Sequence, residues 1–154
     1  MNYWLMKTEP STFGIDDFAK KPKKTAMWDG VRNYQARNML RDDFEKGDLA
    51  FIYHSSADLT GVAGIAQVVR TAYPDPTQFD KKSDTYDAGS KREDPRWLVV
   101  DMQLKRRFKR VITLDELRKH ESRELDGMLL LKRGNRLSIT PLTKEHWDFI
   151  VSLE

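Results

Sequence analysis

The sequence of 154 residues contains no cysteine, only three histidines and no long hydrophobic run. The lack of cysteine excludes disulfides and thiolate metal ligands, and it is typical of a reducing compartment. No second histidine lies at metal-ligand spacing from His54, so we predict neither a metal nor a cofactor. The opening MNYWLMKTEP lacks the basic start of a signal peptide and its apolar run stops at Lys7. We therefore expect a soluble, cytoplasmic protein without a membrane span.

A large excess of charge of one sign is also missing, because 27 Lys and Arg face 24 Asp and Glu for a formal net charge of +3. Overall attraction to polyanions is weak, so a nucleic-acid function depends on where the basic residues lie. Two basic runs occur, KKPKK at residues 20–24 and KRRFKR at residues 105–110. Each run is either a set of phosphate contacts or a solvated face. Alternation along a strand leaves at most half of the second run facing one groove.

Apolar residues make up 39% of the chain and charged residues 33%, which predicts a packed core under a highly charged surface. No internal repeat and no low-complexity linker divides the sequence. We predict a single domain, residues 1–154, and a monomer.

Short β-rich runs alternate irregularly with short helical patterns. The runs predict strands at Tyr3–Lys7, Leu49–Ser55, Val62–Val69, Trp97–Phe108 and Arg136–Thr140. Helices are predicted before Pro22 and from the capping residues Asn33, Thr113 and Thr143. Residues 73–96 form a long polar segment, which in a compact domain is usually functional or mobile. Without βαβ alternation, the pattern predicts an α+β fold, a mixed sheet curled toward a barrel and flanked by short helices.

The stretch WDGVRNYQARN, residues 28–38, carries the main functional signal. Trp28 lies beside the turn formers Asp29 and Gly30 rather than inside a packed element, so we expect its indole to lie open beside a pocket. The other three tryptophans, Trp4, Trp97 and Trp147, lie in strand or helix patterns and are expected in the core. A protein that binds a flipped base needs such an aromatic face, polar groups for the base edge and cations for the phosphates.

Seven motifs occur together in one order: YWLMKTEP, WDGVRNYQARN, FIYHS, GVAGIAQVV, AYPDPTQFD, PRWLVVD and RLSITPLT. Over about residues 2–152 the chain resembles the EVE domain family, a member of the PUA-like superfamily related to YTH readers. The resemblance implies a PUA-like mixed β pseudo-barrel with a pocket for a modified base. Modified cytosine in DNA, such as 5-methyl- or 5-hydroxymethylcytosine, is the leading candidate. Thr8 stands where the family often has serine, and the loop SSADLTGV differs from the commoner versions.

The resemblance and the residue types together give two groups of candidate site residues. The base-pocket group is Trp28, Val31, Asn33, Tyr53, His54, Ser55, Tyr73, Leu137 and Ser138. The group of phosphate or base-edge contacts is Lys7, Thr8, Arg32, Gln35, Arg37 and Arg136.

Several of these residues have a structural alternative. The side chain of Asn33 can cap a helix or contact a base edge, and capping is favoured. His54 ends an apolar strand, where a lone histidine is more often structural. Tyr73 either packs beside a proline-stiffened turn or lies near the base. Arg136 and Ser138 share one strand face, which either lines the pocket or covers the surface.

Two other functions compete with that of a non-enzymatic reader of a modified base. One is an RNA-binding PUA-like module. The other is an amidohydrolase acting on a modified nucleoside, suggested by Lys7, Thr8 and Glu9. The enzyme is the weaker hypothesis, because Thr8 points away from its two neighbours on a strand and no activated nucleophile is visible.

Overall fold

A computed structural model describes all 154 residues. Six strands form one sheet, in chain order β1 (Tyr3–Thr8), β2 (Thr25–Met27), β3 (Leu49–His54), β4 (Gly61–Pro74), β5 (Leu98–Thr113) and β6 (Ile139–Leu142). Across the sheet the order is β2-β5-β4-β3-β1-β6. Strands β1 and β3 are parallel and the other neighbours are antiparallel. The sheet curls into a pseudo-barrel without closing, and β2 and β6 are its edges.

Five short helices accompany the sheet: α1 (Pro10–Phe13), α2 (Ile15–Lys20), α3 (Tyr34–Asp42), α4 (Leu114–Arg118) and α5 (Lys144–Leu153). The three predicted caps are confirmed, because the side chains of Asn33, Thr113 and Thr143 each accept a backbone N–H of the helix that follows. Pro22 follows α2 closely and cannot continue it.

Alternation along β1 and β3 produces a core on each face of the sheet. On β1, Trp4 and Met6 belong to one core, whereas Leu5 belongs to the other. On β3, Ile52 faces the first core and Phe51 the second. The predicted burial of Trp4, Trp97 and Trp147 is confirmed, since each is at most 6% exposed.

Several boundaries differ from the sequence prediction. Strands β4 and β5 run past the predicted ends at Val69 and Phe108, and bulges along their pairing let them bend with the curled sheet. Strand β6 begins at Ile139 rather than at Arg136, and it includes Pro141 because an edge strand tolerates a missing N–H. Strand β2 and helix α1 are too short to show a period in the sequence.

The polar segment at residues 73–96 is anchored by buried polar side chains. It begins inside β4 and contains one helical turn, Pro76–Phe79. The Gln78 amide donates to the carbonyls of Asp75 and Trp97, and its oxygen accepts from Ser90 and from the Trp97 N–H. Since an amide that is fully bonded costs little to bury, Gln78 organises this segment from within.

Candidate functional site

The chain leaves the sheet at Trp28, immediately after the edge strand β2. The Trp28 N–H donates to the Val100 carbonyl at 2.8 Å and so fixes where the loop starts. Gly30 turns the chain with a φ of +80°, a left-handed conformation that favours glycine. The loop ends at Asn33, which caps α3. Residues 28–33 are called the Trp28 loop below.

A buried carboxylate holds this loop from the opposite side. Asp75 is fully buried and accepts hydrogen bonds from the Gly30 N–H at 3.0 Å and from Arg32 Nη1 at 2.9 Å. It also accepts from the N–H and the hydroxyl of Thr77. Burial by itself raises the pKa of Asp75, but the hydrogen bonds from Thr77, Gly30 and Arg32 outweigh it and hold the pKa below its ordinary value. An ionised Asp75 therefore fastens the Trp28 loop to the β4–β5 connection.

Arg32, which the sequence analysis predicts to contact nucleic acid, directs its guanidinium group to partners within the protein. Its Nε and Nη2 donate to the Thr85 carbonyl, and Nη1 donates to the Val31 carbonyl. Nη1 and Nη2 also donate to Asp75 and to the Thr77 hydroxyl. A guanidinium has about five N–H donors in total, so none is left over for a phosphate or a base. Arg32 instead positions the loop.

Two adjoining hollows lie beside the Trp28 loop. The larger has a volume of about 460 Å³ and the smaller about 280 Å³. Lys7, Trp28 and Asp29 border both hollows, which adjoin between β1 and the loop and are together called the depression below. The wall of the larger hollow also includes Thr8, Thr12, Phe13, Lys21 and residues 25–27. The wall of the smaller one also includes residues 30–33, Arg136 and Ser138.

The Trp28 side chain is more buried than the open indole that the sequence suggests, with only 7% of the residue exposed. Its aromatic neighbours are Phe13, edge-on at 6.2 Å and 87°, and Phe18, tilted at 6.3 Å and 49°. Neither ring is stacked against the indole. Trp28 is thus part of the wall of the depression, and a flat group can reach it only from within the hollow.

Strand β1 supplies the polar wall opposite the loop. Lys7 is half-buried, and this burial lowers the pKa of its ammonium group. The Thr8 hydroxyl donates to the Phe13 carbonyl at 2.6 Å, so its proton is used while its lone pairs remain. Lys21, which follows α2, adds a second cation to the larger hollow.

Asp29 borders both hollows and is a site residue that the sequence analysis misses. Burial, and after it repulsion from Asp75, raises the pKa of the Asp29 carboxyl, although the side chain stays accessible to solvent at the rim. In the sequence, Asp29 and Gly30 look like an ordinary Asp-Gly turn. Its position next to Trp28 is the only signal that could have identified it.

Eight of the predicted residues meet at the depression: Lys7, Thr8, Trp28, Val31, Arg32, Asn33, Arg136 and Ser138. Asn33 has already used its side-chain oxygen, which accepts the Ala36 N–H at 3.0 Å, and only its amide N–H groups remain. Arg136 and Ser138 precede β6, yet the Ser138 carbonyl accepts the Lys7 N–H and so extends the pairing with β1.

The residues predicted from the motif FIYHS lie away from the depression. Tyr53 is 3% exposed and belongs to the core on the opposite face of the sheet. His54 Nε2 accepts the Ile15 N–H at 3.0 Å, and burial lowers the pKa of His54. A neutral imidazole in this position serves the structure. The Ser55 N–H donates to the Thr8 carbonyl at 2.9 Å and continues the β1–β3 pairing.

Four other predicted residues are also outside the depression. The Tyr73 hydroxyl donates to Asp101 at 2.6 Å, and burial together with this bond raises the pKa of Tyr73 to about 12. Gln35 is exposed on α3. Arg37 donates to the carbonyl of Arg96 and to Asn38. The Leu137 N–H donates to Asn135.

The basic run at residues 105–110 is largely occupied by ion pairs. Arg106 pairs with Glu154, Arg107 with Asp16, and Arg110 with Glu116. Phe108 is buried within the run. A phosphate would have to compete with these carboxylates for three of the run's cations. By contrast, Lys21 of the first run borders the larger hollow.

Two further findings concern the chain as a whole. No group of three or more His, Asp or Glu side chains is arranged to hold a metal ion. None of the helices combines the length and the apolar character needed to cross a membrane.

The curled mixed sheet and its aromatic, polar-walled depression define a PUA-like protein. The model of the EVE domain matches residues 2–153, and the chain belongs to the EVE domain family. Thymocyte nuclear protein 1 of Mus musculus is 48% identical over 168 aligned positions, covering 99% of this chain and 74% of that protein.

Solved structures show the same relationship. Human THYN1 in complex with 5-methylcytosine-containing DNA superposes with a TM-score of 0.94 at 45% identity, covering 99% of this chain and 97% of that one. The Pseudomonas syringae protein PSPTO5229 superposes with a TM-score of 0.92 at 44% identity, covering 98% of each chain.

Proposed function

We propose that this chain binds DNA that contains 5-methylcytosine and holds the modified base, flipped out of the duplex, in the depression beside Trp28. The observation that carries the proposal is an indole in the wall of a hollow with no aromatic ring stacked on it. The larger hollow falls within the range of about 300–1,000 Å³ that small-molecule sites occupy. Human THYN1, 45% identical to this chain, supports the choice of DNA and of 5-methylcytosine.

The energetics require more than the indole. Stacking contributes roughly 1–3 kcal/mol per base, and unstacking and unpairing one base costs a few kcal/mol. The stacking energy from Trp28 alone is therefore about equal to the cost of flipping the base. The remainder comes from polar groups that bond the base edge and from cations at the rim, for which Lys7, Lys21 and Arg136 are the candidates.

Selectivity for the methyl group is expected to be modest. Burying one methyl group contributes about 0.8 kcal/mol, which corresponds to a several-fold preference over unmodified cytosine. A hydroxymethyl group gains more where a polar group can bond it. Thr8 keeps acceptor lone pairs and Asn33 keeps amide donors in the walls of the hollows.

We propose binding without chemical conversion. His54 accepts a backbone N–H, and the Thr8 hydroxyl donates to a backbone carbonyl, so these two residues do not form a nucleophile and base pair. Because DNA is an intracellular polymer, we place this function inside the cell.

The test uses labelled duplexes that carry one central 5-methylcytosine or cytosine, with binding measured by fluorescence anisotropy. The Trp28→Leu variant is expected to bind the methylated duplex about 5- to 150-fold more weakly, the equivalent of roughly 1–3 kcal/mol of stacking. Tyr86→Leu removes a surface aromatic from the polar segment and should leave affinity unchanged. Circular dichroism verifies that both variants are folded.

Unchanged affinity in a folded Trp28→Leu protein would overturn the proposal. Stronger competition by single-stranded RNA than by methylated DNA at equal salt would favour an RNA-binding module. Mass spectrometry of modified nucleosides after incubation with the protein tests the hydrolase, because turnover would show as a new product.

A further inference from the structure

Asp29 differs in charge from the other residues that line the depression. It is the only acidic residue in the wall of either hollow, and it borders both, beside the Trp28 ring. A base that stacks on Trp28 therefore lies next to one carboxyl group, which can contact the edge of the base. The other charged groups that line the two hollows are cations: Lys7, Lys21, Arg32 and Arg136.

The carboxyl group of Asp29 has no partner in another residue. It forms no ion pair with any of the nearby cations. Asp75, which lies behind the same loop, has the opposite environment, with donors from Gly30, Arg32 and Thr77. The Asp29 carboxyl is exposed at the rim, so it is free to bond a ligand that enters either hollow.

The surroundings of Asp29 raise the pKa of its carboxyl group, so the neutral form is more favoured there than in a free aspartate. Burial is the largest influence and repulsion from Asp75 comes next, and both raise the pKa of Asp29. Attraction to Arg32 and Lys21 acts in the opposite direction and does not cancel them. The groups that face Asp29 from neighbouring elements are Lys7 of β1, Lys21 after α2, Arg32 of the loop, Asp75 after β4 and Arg136 before β6.

The edge of cytosine matches such a group. Cytosine presents its N4 amino group as a donor and N3 as an acceptor, and carboxylates are known partners of the N4 amino group. A protonated carboxyl presents one acceptor and one O–H donor, and so it can meet both positions at once. Thymine carries the same methyl group but has the reverse edge, an N3–H donor and an O4 acceptor.

We propose that Asp29 reads the base in this site, accepting a hydrogen bond from the cytosine N4 amino group and donating its O–H to N3. The inference rests on the proposed function and adds to it the residue that separates methylated cytosine from thymine. The complex holds one proton between the carboxyl oxygen and N3. When free Asp29 is ionised, binding must therefore take up a proton, and affinity falls as pH rises.

The experiment compares 5-methylcytosine with thymine. Each base is placed opposite an abasic site in the same labelled duplex, so that no base pair has to be broken in either case. The protein is expected to prefer 5-methylcytosine by roughly 5- to 150-fold, the range of one good bidentate contact. In Asp29→Asn, the amide can rotate to suit either edge. This variant should keep its affinity for 5-methylcytosine, bind thymine almost equally well and lose the dependence on pH.

Two further variants complete the design. Asp29→Leu removes both hydrogen-bonding functions and should lower affinity for 5-methylcytosine as well as the preference over thymine. Asp58→Asn removes the same charge from an exposed position in the β3–β4 loop and should leave both affinities unchanged. Since the Asp29 side chain bonds to no other residue, folded variants are expected, and thermal denaturation verifies this.

The outcomes separate the two proposals. A protein that fails to bind the methylated duplex at all overturns the proposed function. A protein that binds it but accepts thymine equally well overturns the role of Asp29 alone. The same conclusion follows if Asp29→Asn retains the full preference for 5-methylcytosine over thymine.

Discussion

Trp28 and Trp147 are buried to nearly the same extent, 7% and 5% exposed, yet their surroundings differ. Trp147 is stacked on Phe51, with ring centroids 3.9 Å apart and 16° between the planes, and Tyr3 lies 5.0 Å away. The aromatic neighbours of Trp28 are edge-on or tilted, with ring centroids 6.2 and 6.3 Å away. Exposure alone therefore does not identify an aromatic side chain that can bind a ligand. The groups that lie next to the face of the ring identify such a side chain.

The two tryptophans are also positioned by different means. Trp147 lies on α5, a helix capped by Thr143, and its place follows from helical periodicity and apolar packing. Trp28 lies in an irregular loop whose Gly30 and Arg32 are both bonded to Asp75 outside it. A loop fixed in this way can leave one side of a ring next to a hollow, which a close-packed helix face cannot.

The largest expected effect is the loss of stability on truncating Trp147. Trp147→Ala removes a stacked ring from the core, and the free energy of unfolding should fall by about 3–5 kcal/mol. Trp28→Ala should cost less stability, because part of the ring already borders a hollow, but it should abolish preferential binding of the modified base. Urea denaturation measures the first effect and anisotropy the second. Equal losses of stability in the two variants would remove the distinction between the two regions.

The parts of this comparison that are local could be predicted from the sequence. Asn33, Thr113 and Thr143 act on the next turn of chain, so their capping roles follow from adjacent residues. The prediction that Trp28 borders a pocket likewise depends on its turn-forming neighbours. Its deep burial could not be predicted, because the core to which it belongs also includes residues of β4 and β5 from distant parts of the chain.

The parts that depend on distant contacts could not be predicted. Arg32 and Asp75 are 43 positions apart, and nothing near Arg32 in the sequence indicates that a buried carboxylate uses its donors. Alternation assigns Tyr53 to the same face as Phe51, but it cannot say which face of the sheet borders the hollow. The role proposed for Asp29 could not be predicted for a similar reason, because burial and the distant Asp75 raise its pKa.

A smaller effect is expected from loosening the loop that holds Trp28. Arg32→Ala leaves Asp75 buried without its ion-pair partner, while the donors of Gly30 and Thr77 remain. We expect a loss of about 3 kcal/mol in the free energy of unfolding, the lower end for a broken buried pair. Binding of methylated DNA should also weaken, because the loop that positions Trp28 loses its anchor.

Arg41→Ala is the matched control for Arg32→Ala. Arg41 pairs with Asp42 on the surface, where both side chains are about half exposed, at 49% and 53%. Loss of such a pair costs about 0–1 kcal/mol. If Arg32→Ala were as mild as this control in urea denaturation, the Trp28 loop would not depend on its polar anchor.

The smallest effect concerns pH, and it has opposite signs for Asp75 behind the loop and Asp29 within it. Hydrogen bonds hold the pKa of Asp75 below its ordinary value. Its contribution to stability is therefore complete above the ordinary Asp pKa of about 3.9 and is lost as the pH falls through the lower folded value. Burial and Asp75 raise the pKa of Asp29. Ionisation of Asp29 therefore opposes folding as the pH rises through its folded pKa.

Replacing Asp29 isolates the second contribution. Asp29→Asn should be more stable than the unchanged chain at neutral pH, and the gain should disappear as the pH falls and Asp29 becomes protonated. Urea denaturation at a series of pH values measures the difference, with Asp58→Asn correcting for the loss of one negative charge. Such a gain is expected where a binding group is kept at some cost to stability. A variant that is less stable than the unchanged chain at neutral pH would instead mean that ionised Asp29 supports the Trp28 loop, as Asp75 does.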